Sequence, residues 1–216
     1  MHQMAQGEKP GGLKIVRGIP GGKRNEVASL TYSTDPGVFR AVFGKEASKI
    51  LERALNDKMV FVAMVGSEII GAIGVASKEE KSLNVTSRII REVRGFKFLK
   101  SLLLWQFIKS MPEEGELFVE FMAVKPQYRG MGVGTALLRK AIDFAREGGF
   151  TRVRLFVRAE NTSAKRLYEK LGFVVEKPIR VPFPLNRLLS VEKGYRMVLN
   201  LRGFPTGGLS VSAKTF

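Results

Sequence analysis

The run Val124-Lys-Pro-Gln-Tyr-Arg-Gly-Met-Gly-Val-Gly-Thr-Ala-Leu-Leu138 constrains this chain more than any other. Upstream, residues 117–124 are apolar and β-prone apart from Glu120, the pattern of a strand. Downstream, Val133, Ala136, Leu137, Ala141, Ile142 and Ala145 recur at helical spacing within 132–147, and Gly148-Gly149 ends the pattern. A strand therefore passes through a loop bearing Gly130, Gly132 and Gly134 directly into an amphipathic helix. The start of a helix leaves amides unpaired and carries the positive end of the dipole. Glycine lets the chain bend tightly there and lets an anion approach those amides with no Cβ in the way. Arg129 adds a charge-assisted donor at the same point.

The rest of the chain reads as further strands and helices. Residues 13–17 alternate as a strand, and 31–44 carries the turn signal Asp35-Pro36-Gly37. Ile50, Leu51, Ala54 and Leu55 share one helical face within 46–57. Residues 59–65 and 68–75 are β-rich runs around Gly66-Ser67, a hairpin. Residues 78–94 are polar without a clear period. Residues 95–111 interleave Phe96, Leu99, Leu102, Trp105 and Phe107 with Lys97, Lys100 and Lys109, a basic amphipathic helix stopped by Pro112. Its apolar face suits packing on the sheet, a substrate lid, a dimer face or a membrane surface. A strand over 151–158, a helix over 163–171, and strands over 173–175 and 195–201 follow, with a Pro-rich basic excursion over 177–194. This order describes an α/β sandwich, a mixed sheet with helices on both faces. One domain is expected over 13–201, between a flexible N-terminus (1–12) and a Gly- and Ser-rich tail (202–216).

Composition removes several chemistries. The chain has no cysteine, and His2 is its only histidine. A disulfide framework, a cysteine nucleophile, a Ser–His–Asp triad and a thiolate or multi-histidine metal site are thereby excluded, and no metal is expected. Acid–base work falls to Glu, Asp, Tyr and Lys. No apolar run is long enough to span a membrane, and the N-terminus lacks the apolar stretch of a signal peptide, so a cytoplasmic location is expected. The net charge of +16 suggests an anionic partner: nucleic acid, a ribosome, an anionic membrane or a phosphorylated cofactor. Residues 78–111 hold eight basic and three acidic side chains, and 165–216 hold ten and three.

Spacing separates the phosphate-loop types. A Walker loop needs a Lys directly after its last glycine, and none stands there. A Gly-x-Gly-x-x-Gly fingerprint begun at Gly130 finds Thr135 in its sixth position. Taken as Arg-x-x-Gly-x-Gly, however, Arg129, Gly132 and Gly134 resemble the diphosphate loop of the GNAT superfamily of acetyl-CoA-dependent N-acetyltransferases. Downstream, Asn161-Thr-Ser-Ala164-Lys-Arg-Leu167-Tyr168-Glu-Lys-Leu171-Gly172-Phe173 resembles that family's Asn-x-x-Ala-x-x-x-Tyr-x-x-x-Gly-Phe segment. The resemblance covers roughly residues 59–201 and is weak upstream.

The resemblance implies a GNAT-like α/β fold: a mixed, mostly antiparallel central sheet of about six to seven strands with helices on both faces. It implies transfer of acetyl from acetyl-CoA to an amine by direct attack in a ternary complex. Carried onto this chain, the amides of Gly130, Met131, Gly132, Val133, Gly134 and Thr135, with Arg129, hold the CoA diphosphate. Met122, Ala123 and Val124 line the pantetheine arm, with the backbone of Met122 and Val124 pairing to it, and Asn161 and Ala164 flank it. Lys165 and Lys170 are further candidates for the phosphates. Tyr168, with a reference pKa near 10, is the general acid for the departing thiolate. Glu120 is the candidate base, a carboxylate in an apolar strand whose burial would raise its pKa; alternation places it on the face of Met122 and Val124. Glu116 and a water chain are the alternatives.

The acceptor amine is not legible: a small molecule, a peptide and a protein all remain open. Basic surroundings disfavour polyamines and Lys-rich peptides and tolerate acidic peptides, protein N-termini or an amine carried on nucleic acid. A competing reading is a nucleic-acid- or ribosome-associated binding module on the same scaffold, and the tail beyond Leu201 offers a surface for a homodimer.

Overall fold

The computed structural model describes residues 10–94, 112–183 and 185–201. The basic helix expected over 95–111, the tail 202–216 and most of the N-terminal segment lie outside them. Seven strands form one sheet in the order β1-β2-β3-β4-β5-β7-β6. They are β1 (Leu13–Arg17), β2 (Val60–Val65), β3 (Glu68–Ala76), β4 (Glu116–Val124), β5 (Arg152–Arg158), β6 (Val174–Arg180) and β7 (Lys193–Asn200). Only β4 and β5 pair in parallel; every other neighbour is antiparallel. The expected sheet is therefore the observed one.

Helices cover both faces. On one lie α1 (Arg24–Thr34), α2 (Pro36–Phe43) and α3 (Ala47–Ala54), whose Val27, Phe43, Ile50 and Leu51 pack against Val60, Val62, Ala72, Phe121 and Ala123. Ile90 of α4 (Ser87–Arg94) and Leu189 of the short α7 (Leu185–Leu189) join this core. On the other face α5 (Val133–Glu147) and α6 (Thr162–Lys170) cover Phe61, Ile73, Val119, Leu155 and Met197. The apolar spacing that marked α3 and α5 in the sequence is the spacing of their buried residues.

Two expectations change. Asp35-Pro36-Gly37 is a helix start rather than a turn: the Asp35 carboxylate accepts the Val38 amide at 3.1 Å, and Pro36 takes the first helical position, where a missing N–H costs nothing. The excursion over 177–194 is also more regular than its prolines suggest. Strand β6 runs on to Arg180 through Pro178, which an edge strand tolerates because one side of its ladder is unpaired.

Two features of β4 position everything that follows. Its parallel ladder with β5 runs only from Glu116↔Arg152 to Val119↔Leu155; beyond that β4 stays with β3 and β5 with β7, so the sheet opens between them. At the same point Val119 and Phe121 pair with the consecutive residues Val75 and Gly74, leaving Glu120 as the extra residue of a β-bulge. Gly74 permits this, since a Cβ there would stand 2.1 Å from the Phe121 ring and 2.5 Å from Ser82 Oγ.

The closed end of the ladder is held by charge. Glu116 is fully buried, with Arg154 Nη2 at 2.7 Å, Arg152 Nε at 3.1 Å and the Glu113 amide donating at 3.0 Å. Removing one member of a buried ion cluster leaves the others uncompensated. Glu116→Ala is therefore expected to destabilise the fold by about 3–5 kcal/mol in a urea titration, with an unchanged denaturant slope. A loss of less than about 1 kcal/mol would show that the arginines do not depend on it.

Candidate active site

The glycine loop runs from the end of β4 through a 3₁₀ turn (Pro126–Tyr128) to the start of α5. Gly130 (φ 79°) and Gly132 (φ 78°) occupy left-handed backbone that a side chain disfavours, and the space a Gly130 Cβ would enter is open. Gly132 is the N-cap of α5 and lends no side chain to the cap. The first helix bond is Ala136 N–H to Gly132 O at 3.0 Å, so the amides of Val133, Gly134 and Thr135 have no partner among the described residues. They form the dipole-positive end of a helix four turns long, an arrangement suited to a diphosphate. Gly134 lies inward: its Cβ position is 3.4 Å from Leu167 Cδ2, 3.8 Å from Val124 and 3.9 Å from Met122, which sets the helix start against both β4 and α6.

The opening in the sheet begins beside this loop. The Lys125 amide donates to Ile70 O of β3 at 2.8 Å. Peptide groups alternate along a strand, so that of Ala123 also faces β3, whereas those of Met122 and Val124 face the gap left by β5. Arg129 Nε donates to the gap-side Val124 carbonyl at 3.1 Å, which brings the guanidinium to the junction of gap and loop. Ala123 differs from its expected role: its side chain lies in the α1–α3 core, and its peptide group is turned from the gap.

Tyr168 is buried in the α5–α6 core with its ring 6.0 Å from that of Phe173. Its hydroxyl has no hydrogen-bond partner among the described residues, and burial pushes its pKa up to about 12. Asn161 caps α6, its Oδ1 accepting the Ala164 amide at 3.2 Å and the Ser163 hydroxyl at 3.2 Å. Ala164 packs against the same core. Lys165 is committed elsewhere, to Glu169 and to the face of the Tyr195 ring.

The bulge overturns the expected placement of Glu120. Val119 and Met122 both face the α5–α6 core although they are three residues apart, so Glu120 and Phe121 together turn to the α1–α3 side. There the Glu120 carboxylate accepts Ser82 Oγ at 2.6 Å and the Leu83 amide at 3.1 Å. Burial raises its pKa, and these two donors act against that rise. Glu116, the other carboxylate considered, is locked between Arg152 and Arg154 at the closed end of the ladder.

One brace is absent from the sequence pattern. Glu68, at the start of β3, accepts Lys125 Nζ at 2.8 Å and the Tyr128 hydroxyl at 2.8 Å, fastening the glycine loop to the β2–β3 hairpin. Its carboxylate pKa is lowered by Lys125 and Tyr128, and the Tyr128 pKa is raised by Glu68. Its partners lie 57 and 60 residues away, so local patterning carries no trace of the contact. Among the described residues no helix is long and apolar enough to cross a membrane.

Comparison with known proteins bears on the fold and the family. The profile of the acetyltransferase (GNAT) family matches residues 31–173. An uncharacterized N-acetyltransferase of Methanocaldococcus jannaschii is 38% identical over 72 residues, 33% of this chain and 30% of that protein. N-alpha-acetyltransferase 30 of Xenopus laevis is 32% identical over 120 residues, 56% of this chain and 33% of that protein. The chain thus matches about a third of the length of these curated relatives. Among solved structures, the ribosomal-protein-S18-alanine N-acetyltransferase of Escherichia coli superimposes with a TM-score of 0.55 at 17% identity, covering 91% of this chain and 99% of that one, a likeness of fold. With the family profile spanning more than half of its length, the chain belongs to the acetyltransferase (GNAT) family.

Proposed function

We propose that this chain is an acetyl-CoA-dependent N-acetyltransferase whose acceptor is the free α-amine of a peptide or protein. The observation that carries the reading is the opening of the sheet after Val119 and Leu155. Its β4 wall offers outward peptide groups and ends at a helix start with unpaired amides. A peptide-like arm ending in a diphosphate fits that combination, and the open, left-handed Gly130 leaves room for its charged end. The peptide acceptor is favoured by relatives whose names specify α-amine acetylation and by a basic chain that disfavours polyamines.

Acetyl-CoA supplies the acetyl group as an activated thioester. Arg129 and the amides of Gly130, Met131, Gly132, Val133, Gly134 and Thr135 bind its diphosphate. Met122 and Val124 orient the arm through their gap-side peptide groups, and the Met122 N–H polarises the acetyl carbonyl. Asn161 and Ala164 border the arm from α6. Glu120, on the face opposite the glycine loop, takes the proton of the incoming amine, directly or through water, which its raised proton affinity favours. Tyr168 steadies the departing sulfur. With a pKa of about 12 it stays protonated, but full transfer to a thiolate of pKa about 8.5 would be uphill by roughly 5 kcal/mol. Its part is therefore a hydrogen bond rather than a completed proton donation.

Radiolabelled acetyl-CoA incubated with a pooled library of free-α-amine hexapeptides should label the peptides above a no-enzyme control. Label confined to a parallel polyamine sample, or none at all, would overturn the proposed activity. Tyr168→Phe is expected to lower turnover about tenfold or more while leaving acetyl-CoA affinity nearly unchanged, because the hydroxyl is asked to act only on the leaving group. Equal turnover would make Tyr168 a packing residue.

Glu120→Gln should lower turnover by about 10²-fold. It also has a stability signature. A carboxyl whose folded pKa lies above its unfolded value contributes stability fully present below the unfolded value and lost as pH rises through the folded one. The non-titrating glutamine should therefore gain melting temperature relative to wild type as pH rises above the ordinary carboxylate range. A difference that stays constant with pH would show that the carboxyl is not shifted.

A further inference from the structure

Strand β5 turns Val153, Leu155 and Val157 into the α5–α6 core, so Arg158 projects toward the opposite face, the side of Glu120. It stands three residues past Leu155, the last residue paired with β4, and so about 10 Å along the wall of the opening. Three segments distant in sequence meet at its guanidinium. Nε and Nη2 grip both oxygens of Asp35, at 3.1 and 2.5 Å, and Nη1 donates to Ser190 O at 2.7 Å and to Glu160 Oε1 at 3.4 Å. Asp35 is the junction of α1 and α2 and caps α2 with the same carboxylate. Ser190 joins α7 to β7 and is the one non-glycine residue with positive φ (52°) among those described. The two segments also touch each other, since a Cβ on Gly37 would lie 3.6 Å from Leu189 O and 3.6 Å from Ser190 Cβ. Beside them lies a hollow of about 420 Å³ whose lining includes Glu160, Arg187, Ser190, Val191, Glu192 and Lys193.

We propose that Arg158, with Asp35, is a positioning residue that fixes the acceptor-side wall of the active site. It locks the α1–α2 junction and the α7–β7 loop to the strand that borders the opening. The proposal rests on the transferase reading for its role in acceptor binding. Arginine is required because only its planar fork meets a carboxylate with two parallel bonds while a third donor reaches a carbonyl. The pair is partly buried, with 23% and 24% of its two side chains exposed. Its effect lies in where two loops sit, so it governs the acceptor rather than acetyl-CoA, whose loop lies on the other face against α5 and α6.

Asp35→Asn keeps the helix cap and loses the charged grip, and Arg158→Lys keeps the charge and loses the fork. For a hexapeptide that takes label from the pool, both variants should raise the peptide KM about tenfold, with kcat and the calorimetric Kd for acetyl-CoA within about twofold of wild type. Independently of activity, hydrogen exchange of the Val191 amide, which donates to Asn186 O at 3.1 Å, should quicken about tenfold in both variants while α5 amides keep their protection. Unchanged peptide KM, unchanged Val191 exchange, or an acetyl-CoA Kd that weakens in step with KM overturns the proposal. If wild type transfers acetyl to no peptide, the transferase reading fails instead, and Val191 exchange still decides whether the clamp exists.

Discussion

Strands β4 and β5 are parallel neighbours for four residue pairs and then part, and the rest of the structure is arranged around that parting. A buried cluster of Glu116 with Arg152 and Arg154 fastens the closed end. Such a cluster is costly to bury and costlier to break, so it fixes register more than it adds stability. At the other end no strand among the described residues pairs with the gap side of β4, and unpaired strand edges are normally covered or blunted. Here the edge is internal, lies beside a helix start, and is rimmed by glycines with no side chains to fill the space. Two sets of backbone donors without a partner among the described residues, one on a strand and one on a helix, thus share one opening.

The bulge divides labour between the two faces. Had β4 alternated strictly, Glu120 would share a face with Met122 and Val124 and crowd the glycine loop. One inserted residue turns it through the sheet to the α1–α3 side, with Ser82 and Leu83 closing over it. The glycine loop, Tyr168 and the gap-lining side chains then belong to the α5–α6 face. Glu120, Asp35, Arg158 and the hollow beside Ser190 belong to the other. Two substrates can approach such a seam from opposite sides, as the proposed direct transfer requires.

What was legible in the sequence follows from how local each demand is. The glycine loop and the helix after it announce themselves because backbone geometry at Gly130 and Gly132 admits few other residues. The helices with a clean apolar face, α3 and α5, were equally plain. The face of Glu120 was hidden, because a bulge is set by the partner strand and by Gly74, not by β4 itself. Asp35-Pro36 misled because the same residues that favour turns also start helices. The Glu68 brace and the Arg158 clamp span 57 to 123 residues, and an isolated Glu or Arg carries no sign of a partner that far away. The excess of basic charge was real, yet part of it is internal bookkeeping: Arg152, Arg154 and Arg158 all answer carboxylates.

The carboxylates themselves show why Glu120 is the one proposed as the base. Glu68 and Glu116 each face a Lys or an Arg, which commits them to structure; at Glu68 the partners Lys125 and Tyr128 also lower the pKa. Glu120 accepts instead from neutral donors, the Ser82 hydroxyl and the Leu83 amide, and burial outweighs these bonds and the charge of Lys81, so its proton affinity rises. The same cause acts on Tyr168, where burial without a charged partner holds the phenol protonated. Desolvation alone therefore gives one group that accepts a proton more readily and another that does not give its proton up. These are the states that removal of an amine proton and support of a leaving sulfur call for, on the two faces of one seam.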